Sequence, residues 1–166
     1  MKENLPGVFT EHSLLADAQT KYTDGSLIPS GLMAKSSLTG PGTMKQIPLK
    51  LSVSESAELI KTSLQKKGFT LFSDIDHQAN AKSVDLDMPA SRVLIFGNPV
   101  AGTQLMKKDI AISLDLPLRL ALVEKDGQTI FIHQTAYDYS NNYQVEDHPV
   151  LEKIEALYAA LASELG

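Results

Sequence analysis

From Met44 onward the chain switches between two hydrophobic periods, and the order of the switches predicts the fold. Ile47, Leu49, Leu51 and Val53 alternate with Gln46, Pro48, Lys50 and Ser52, the period of a strand with one buried face. Pro48 puts that strand at a sheet edge, because proline cannot donate to an interior ladder. Ser54 is placed to cap a following helix with Glu55 and Glu58 in its first turn, Ala57, Ile60 and Leu64 on one face, and Gly68 just past its end. Residues 69–75 read as a second strand and 79–86 as a short helix. Residues 92–96 form an almost continuously apolar third strand, expected at the centre of the sheet. Residues 118–124 and 129–134 flank Asp126-Gly127, which predicts a hairpin. Pro149 opens a last segment in which Leu151, Ile154, Leu157, Tyr158, Leu161 and Leu165 recur at helical spacing.

The predicted class is α+β: a mainly antiparallel sheet of about five strands with helices on one face. A doubly wound parallel sheet would need a crossover helix before each later strand, and Asp126-Gly127 leaves no room for one. This domain spans residues 44–166. Residues 1–43 read as an irregular N-terminal extension, with Gly7, Gly25, Gly31, Gly40 and Gly42, Pro6, Pro29 and Pro41, and many Ser and Thr. Within it residues 11–19 fit one short helix carrying Leu14, Leu15 and Ala18, and the extension either packs along the domain or wraps a neighbouring subunit.

Composition narrows the chemistry. The chain of 166 residues carries a formal net charge of −5, which argues against nucleic acid as a partner, since phosphate binding needs clustered cations. Its basic doublets, Lys66-Lys67 and Lys107-Lys108, fall where predicted helices end and complement the helix dipole. The absence of cysteine excludes thiol nucleophiles, disulfides and Cys-based metal sites. No apolar run of signal-peptide or membrane-spanning length occurs, so the expectation is a cytoplasmic protein without a membrane partner, or a periplasmic one if a leader has been removed.

The segment Ile95-Phe96-Gly97-Asn98-Pro99-Val100-Ala101-Gly102-Thr103 carries two glycines at phosphate-loop spacing. Thr103 stands where such a loop requires Lys, Gln104 where it requires Ser or Thr, and Pro99 removes an amide from the cradle. Nucleotide hydrolysis is therefore not expected.

Lys67-Gly68-Phe69-Thr70-Leu71-Phe72, Asp76-His77, Leu94-Ile95-Phe96-Gly97-Asn98-Pro99, Gly102-Thr103, Leu105-Met106 and Asp115-Leu116-Pro117-Leu118 together resemble DUF302, a family of domains of unknown function. The resemblance runs from about Ile47 to about Tyr139. It implies a compact α+β domain of the TATA-binding-protein-like sort, with a curved antiparallel sheet under helices, often dimeric and of no established activity. DNA binding does not follow from that fold name, given the acidic charge.

Two clusters could carry function. At the glycine turn, Asn98 and the Thr103 hydroxyl would stand beside a helix N-terminus whose free amides favour an anion. The competing reading is structural: Gly97 permits close packing, Asn98 bonds its own backbone and Pro99 starts the helix. In the second cluster, Asp76 could orient His77 as an acid/base on a small polar substrate, with Asn98 and the helix amides stabilising negative charge. Helix capping is the plainer role for Asp76.

A metal site is not expected, because neither His133 nor His148 has a second ligand at metal-binding spacing. His133 shares a strand face with Phe131 and reads as solvent-side or half-buried. The run Tyr137-Asp138-Tyr139-Ser140-Asn141-Asn142-Tyr143 could line a polar ligand site through Tyr137, form an interface, or cover the sheet. The resulting expectation is a non-enzymatic module, a homodimer through the sheet edge near Pro48 and the C-terminal helix. It would bind a small polar or anionic ligand at Gly97, Asn98, Thr103 and Tyr137. The alternative is an enzyme using His77 and Asp76, and no cofactor is implied.

Overall fold

The computed structural model describes residues 44–166; the short helix expected at 11–19 and the path of the extension lie outside them. The elements are β1 (Lys45–Leu49), α1 (Val53–Lys66), β2 (Thr70–Asp76), α2 (His77–Lys82), β3 (Ser91–Gly97), α3 (Pro99–Lys108), a 3-10 turn (Ile110–Leu114), β4 (Leu118–Lys125), β5 (Gln128–His133), α4 (Ala136–Asn142) and α5 (Pro149–Leu165). The strands form one sheet in the order β1-β5-β4-β3-β2, with every pairing antiparallel, so the class is α+β. Pro48 lies in the edge strand β1 as its missing N–H requires. The apolar strand β3 is interior, but the middle place belongs to β4, because its hairpin with β5 extends the sheet one strand further towards β1.

Local capping chemistry moved several boundaries. β1 stops at Leu49 rather than running on to Val53, and Ser52 replaces Ser54 as the cap of α1. Ser52 Oγ accepts from the Glu55 amide at 3.3 Å while the Glu55 carboxylate accepts from the Ser52 amide at 3.0 Å. This reciprocal pair satisfies two otherwise orphaned donors, and it turns Val53 into a buried first helical residue. At the other end, Gly68 sits at φ +79°; its N–H reaches the Gln65 carbonyl at 3.1 Å and that of Phe69 reaches the Leu64 carbonyl at 3.0 Å, closing the helix. Helix α2 begins at His77, two residues earlier than the apolar pattern suggested, because Asp76 Oδ1 accepts from the Ala79 amide at 2.9 Å. In the hairpin Asp126 and Gly127 both take positive φ, 52° and 76°, the conformation that matches the strand twist.

Leu94 and Phe96 on β3, Leu120 and Leu122 on β4, and Phe131 on β5 are fully buried on one face of the sheet. They pack in one core with Ala57, Ile60 and Leu64 of α1 and with Ile154, Tyr158 and Leu161 of α5. Truncating one of these leucines to alanine costs about 2–5 kcal/mol.

His133 corrects the sequence reading. It shares the face of Phe131, and that face is the covered one, so His133 is only 3% exposed and the isoleucines Ile130 and Ile132 stand half-buried on the opposite face. Register decides this: His133 pairs with Leu120 and Phe131 with Leu122, both core residues. Hydrophobicity alone favours the isoleucines inside. On that opposite face they are joined by Val93, Ile95, Ala121 and Val123, all half-buried. Among the described residues no helix is long and apolar enough to cross a membrane.

Candidate functional site

Gly97 and Gly102, which stand at phosphate-loop spacing, do not enclose a loop. Gly97 ends β3, Asn98 caps α3, Pro99 is its first residue, and Gly102 already lies inside the helix. Asn98 Oδ1 accepts from the amides of Val100 at 2.9 Å and Ala101 at 3.3 Å, and the Gly102 amide bonds the Asn98 carbonyl at 3.0 Å. Pro99 has no N–H to offer. Every amide of the first turn is thus absent or engaged, and the anion cradle that free amides would have made is filled by Asn98 itself. Gly97 serves close approach: a Cβ there would stand 3.3 Å from the Phe72 ring and 3.5 Å from Pro117 Cβ.

Beside this turn the surface opens into a cleft of about 780 Å³, within the range of small-molecule sites. One wall is α3, through residues that include Ala101, Thr103 and Met106. The facing wall is α5, through Val150, Lys153, Ile154 and Leu157. Phe69 and Phe72 close one side, Leu116 lies beneath Gly102, and Pro117 lies against Gly97. Phe72 reaches the cleft because the β2–β3 register slips between Leu71 and Ser73. Left unpaired by this bulge, it is 56% exposed, so a large apolar ring faces the opening rather than the core.

Of the residues singled out from sequence, Gly97, Asn98 and Thr103 meet at this cleft and the others do not. Tyr137 stands on α4, 57% exposed, and does not line it. Its neighbours explain the aromatic run: residues 136–142 are a helix capped by Thr135, Tyr139 is buried in the core, and Tyr143 donates to Asp115 at 2.6 Å. Asp76 and His77 lie at the far end of β3. Asp76 pairs with Arg92, and the six residues from there to Asn98 span about 20 Å of strand. An acid/base partnership needs hydrogen-bond reach, so the arrangement of His77, Asp76 and Asn98 as one catalytic site is removed by geometry. His148 caps α5, its Nδ1 accepting from the Val150 amide at 3.2 Å. Among the described residues no three His, Asp or Glu side chains converge to hold a metal ion.

Sequence reasoning missed the α5 wall, Phe72 and Lys153. Leu157 and Ile154 read as core positions of an amphipathic helix, which they also are. Only the bulge at Phe72 and the helix crossing turn them towards a cleft, and neither has a one-dimensional signal.

The charges near the other end of the sheet are structural. Asp74 accepts from Arg92 Nε and Lys61 Nζ, each at 3.0 Å, and pairs a second time with the Arg92 guanidinium; Lys61 also meets Glu58 at 2.6 Å. Partial burial alone would raise the Asp74 carboxyl, but the hydrogen bonds from Arg92 and Lys61 outweigh it and hold it below its ordinary range.

An open antiparallel α+β sheet with a cleft at one end of its helical layer is the class this geometry defines. Within that class, the family model described as "Domain of unknown function DUF302" matches residues 45–162, and the chain belongs to this family. A crystal structure of an uncharacterized conserved DUF302 protein from Bacillus stearothermophilus has the same fold, with a TM-score of 0.64 at 17% identity, covering 74% of this chain and 98% of that one. The chain is also 42% identical over 76 residues to proteins named Fluoride-specific ion channel FluC 1 from Brucella suis and Brucella abortus. The matched stretch is 46% of this chain but only 30% and 28% of those proteins. The chain therefore corresponds to less than a third of these curated relatives.

Proposed function

We propose that this domain is a non-catalytic binding module that takes a small organic ligand in the cleft between α3 and α5 and acts as a homodimer. The observation that carries the reading is the cleft itself: about 780 Å³, bounded by apolar side chains, with Asn98 and Thr103 as neighbouring polar groups. Such a mostly apolar concavity with a few polar groups is the usual form of a small-molecule site. Catalysis draws no support from the geometry, because Asp76 and His77 are separated from the cleft by the length of a strand. The partial match to larger channel proteins is in keeping with a domain that also occurs as one part of longer chains.

For the homodimer, the surface favoured is the sheet face turned away from the core, which carries Ile95, Val93, Ala121, Ile130 and Ile132. The C-terminal helix offers less, since Leu151, Ile154, Leu157, Tyr158, Leu161 and Leu165 are all buried against this chain's own core.

The test of the cleft uses Nile red, a neutral apolar dye whose emission shifts on leaving water. Wild-type protein should enhance and blue-shift its emission saturably. Thr103→Trp, which places a large ring into the cleft from an exposed position on α3, should abolish the saturable signal while leaving the circular dichroism spectrum unchanged. Equal dye binding by the two proteins, or none by either, defeats the reading.

A further inference from the structure

The cleft carries charge of one sign in a chain of the other. Although the protein has a formal net charge of −5, among the described residues no Asp or Glu lines the cleft, and the charged residues that do are Lys67 and Lys153. The two lysines differ. Lys67 Nζ is held by Glu164 Oε1 at 2.8 Å, so its charge is already met. Lys153, on the first turns of α5, makes no ion pair among the described residues and is exposed at the cleft wall. It stands eleven residues from Glu164, about 16 Å along the helix. The unpaired cation therefore marks one end of the α5 wall and the neutralised one the other. Ile154 and Leu157 lie on the wall, with Phe69 and Phe72 towards the β2 side.

We infer that the ligand is an amphipathic carboxylate, an aliphatic chain lying along the apolar wall with its carboxylate paired to Lys153. This rests on the proposed binding role of the cleft and adds the chemistry of what it takes. Apolar surface supplies most of the driving force, and a single unpaired ammonium at one end gives direction, since electrostatic complementarity contributes specificity more than raw affinity. A polyanion such as a nucleotide is disfavoured, since among the described residues lining the cleft Lys153 is the one uncommitted cation and the amides at the start of α3 are engaged.

The experiment measures displacement of Nile red by dodecanoate, dodecanol and dodecyltrimethylammonium, each below its micelle concentration, on wild type, Lys153→Met and Lys67→Met. Dodecanoate should bind wild type at least tenfold tighter than dodecanol and tighter still than the cation. Lys153→Met should lose that preference while retaining dodecanol binding, whereas Lys67→Met should keep it. Equal binding of dodecanoate and dodecanol to wild type, or an unchanged preference in Lys153→Met, overturns the carboxylate inference, and the dye signal then still upholds a binding cleft. Absence of saturable dye binding to wild type overturns the cleft reading and this inference together.

Discussion

His133 stacks on Tyr158, ring centroids 4.1 Å apart and planes 14° from parallel, inside a core where both are buried. The imidazole Nδ1 lies 2.8 Å from the Gln134 carbonyl. Burial depresses the His133 imidazole below its ordinary 6.5, and the field of Lys45 adds to this. The Gln134 carbonyl, Glu155 and Asp138 push the other way without reversing it. The native state thus keeps this ring neutral at a pH where the unfolded chain has begun to protonate it. Stability from this group is fully present above pH 6.5, falls as pH drops below 6.5, and levels off once the pH passes below the depressed native value. Urea unfolding across this range should show that slope. His133→Phe, which keeps a ring against Tyr158, should flatten it; an unchanged slope in the variant would assign the pH dependence elsewhere.

Gly102 has no conformational need to be glycine. It lies within α3 with a φ in the ordinary helical half of the map, and a Cβ would meet only Leu116 Cδ1 and Met106 Cε at 4.0 Å. Gly102→Ala should therefore stabilise the fold by about 0.5–1 kcal/mol through the lower entropy of the unfolded chain and better helix propensity. Asn98→Ala should cost about 1 kcal/mol by releasing the Val100 and Ala101 amides. A phosphate cradle would demand the opposite ranking of these two positions, so paired denaturation curves separate the two accounts.

The sequence carried the elements well where a local signal was strong: the Asp126-Gly127 hairpin, the helix opened by Pro149, the edge proline Pro48 and the Gly68 stop. It failed where a tertiary pairing decides. Ile130 and Ile132 are more apolar than Thr129 and His133, yet strand register turns the latter pair inward. Asp76 was legible as a cap, but its distance from Asn98 depended on antiparallel pairing that sets the two at opposite ends of β3. The cleft was legible only at Gly97, Asn98 and Thr103, since its other wall comes from a helix some fifty residues later whose apolar stripe looks the same whether it meets core or ligand.

Ile95 sits on the sheet face turned away from the core, between Ser73 of β2 and Arg119 of β4. If a second copy covers this face, Ile95→Lys should convert a dimer to a monomer in sedimentation velocity without changing the urea midpoint measured at low protein concentration. A wild-type chain that sediments as a monomer at all concentrations would exclude the dimer, and a dimeric Ile95→Lys variant would place its interface elsewhere.

The Asp74–Arg92 pair joins β2 to β3 beneath α1, with side chains 17% and 18% exposed. It lies between the regime of surface pairs, which contribute little, and that of buried pairs, whose rupture is costly. Arg92→Met leaves the carboxylate only Lys61, and a loss of about 1–2 kcal/mol at neutral pH is expected. The sign of its pH dependence opposes a simple packing loss. Because the Asp74 carboxyl is held low in the native state, its contribution is present above the ordinary carboxylate pKa of 3.8 and is lost as pH falls through the depressed native value. Wild-type and Arg92→Met stabilities should therefore converge in acid. If the variant has merely lost the packing of the arginine stem, the gap between the two curves will stay constant down to the lowest pH at which both remain folded.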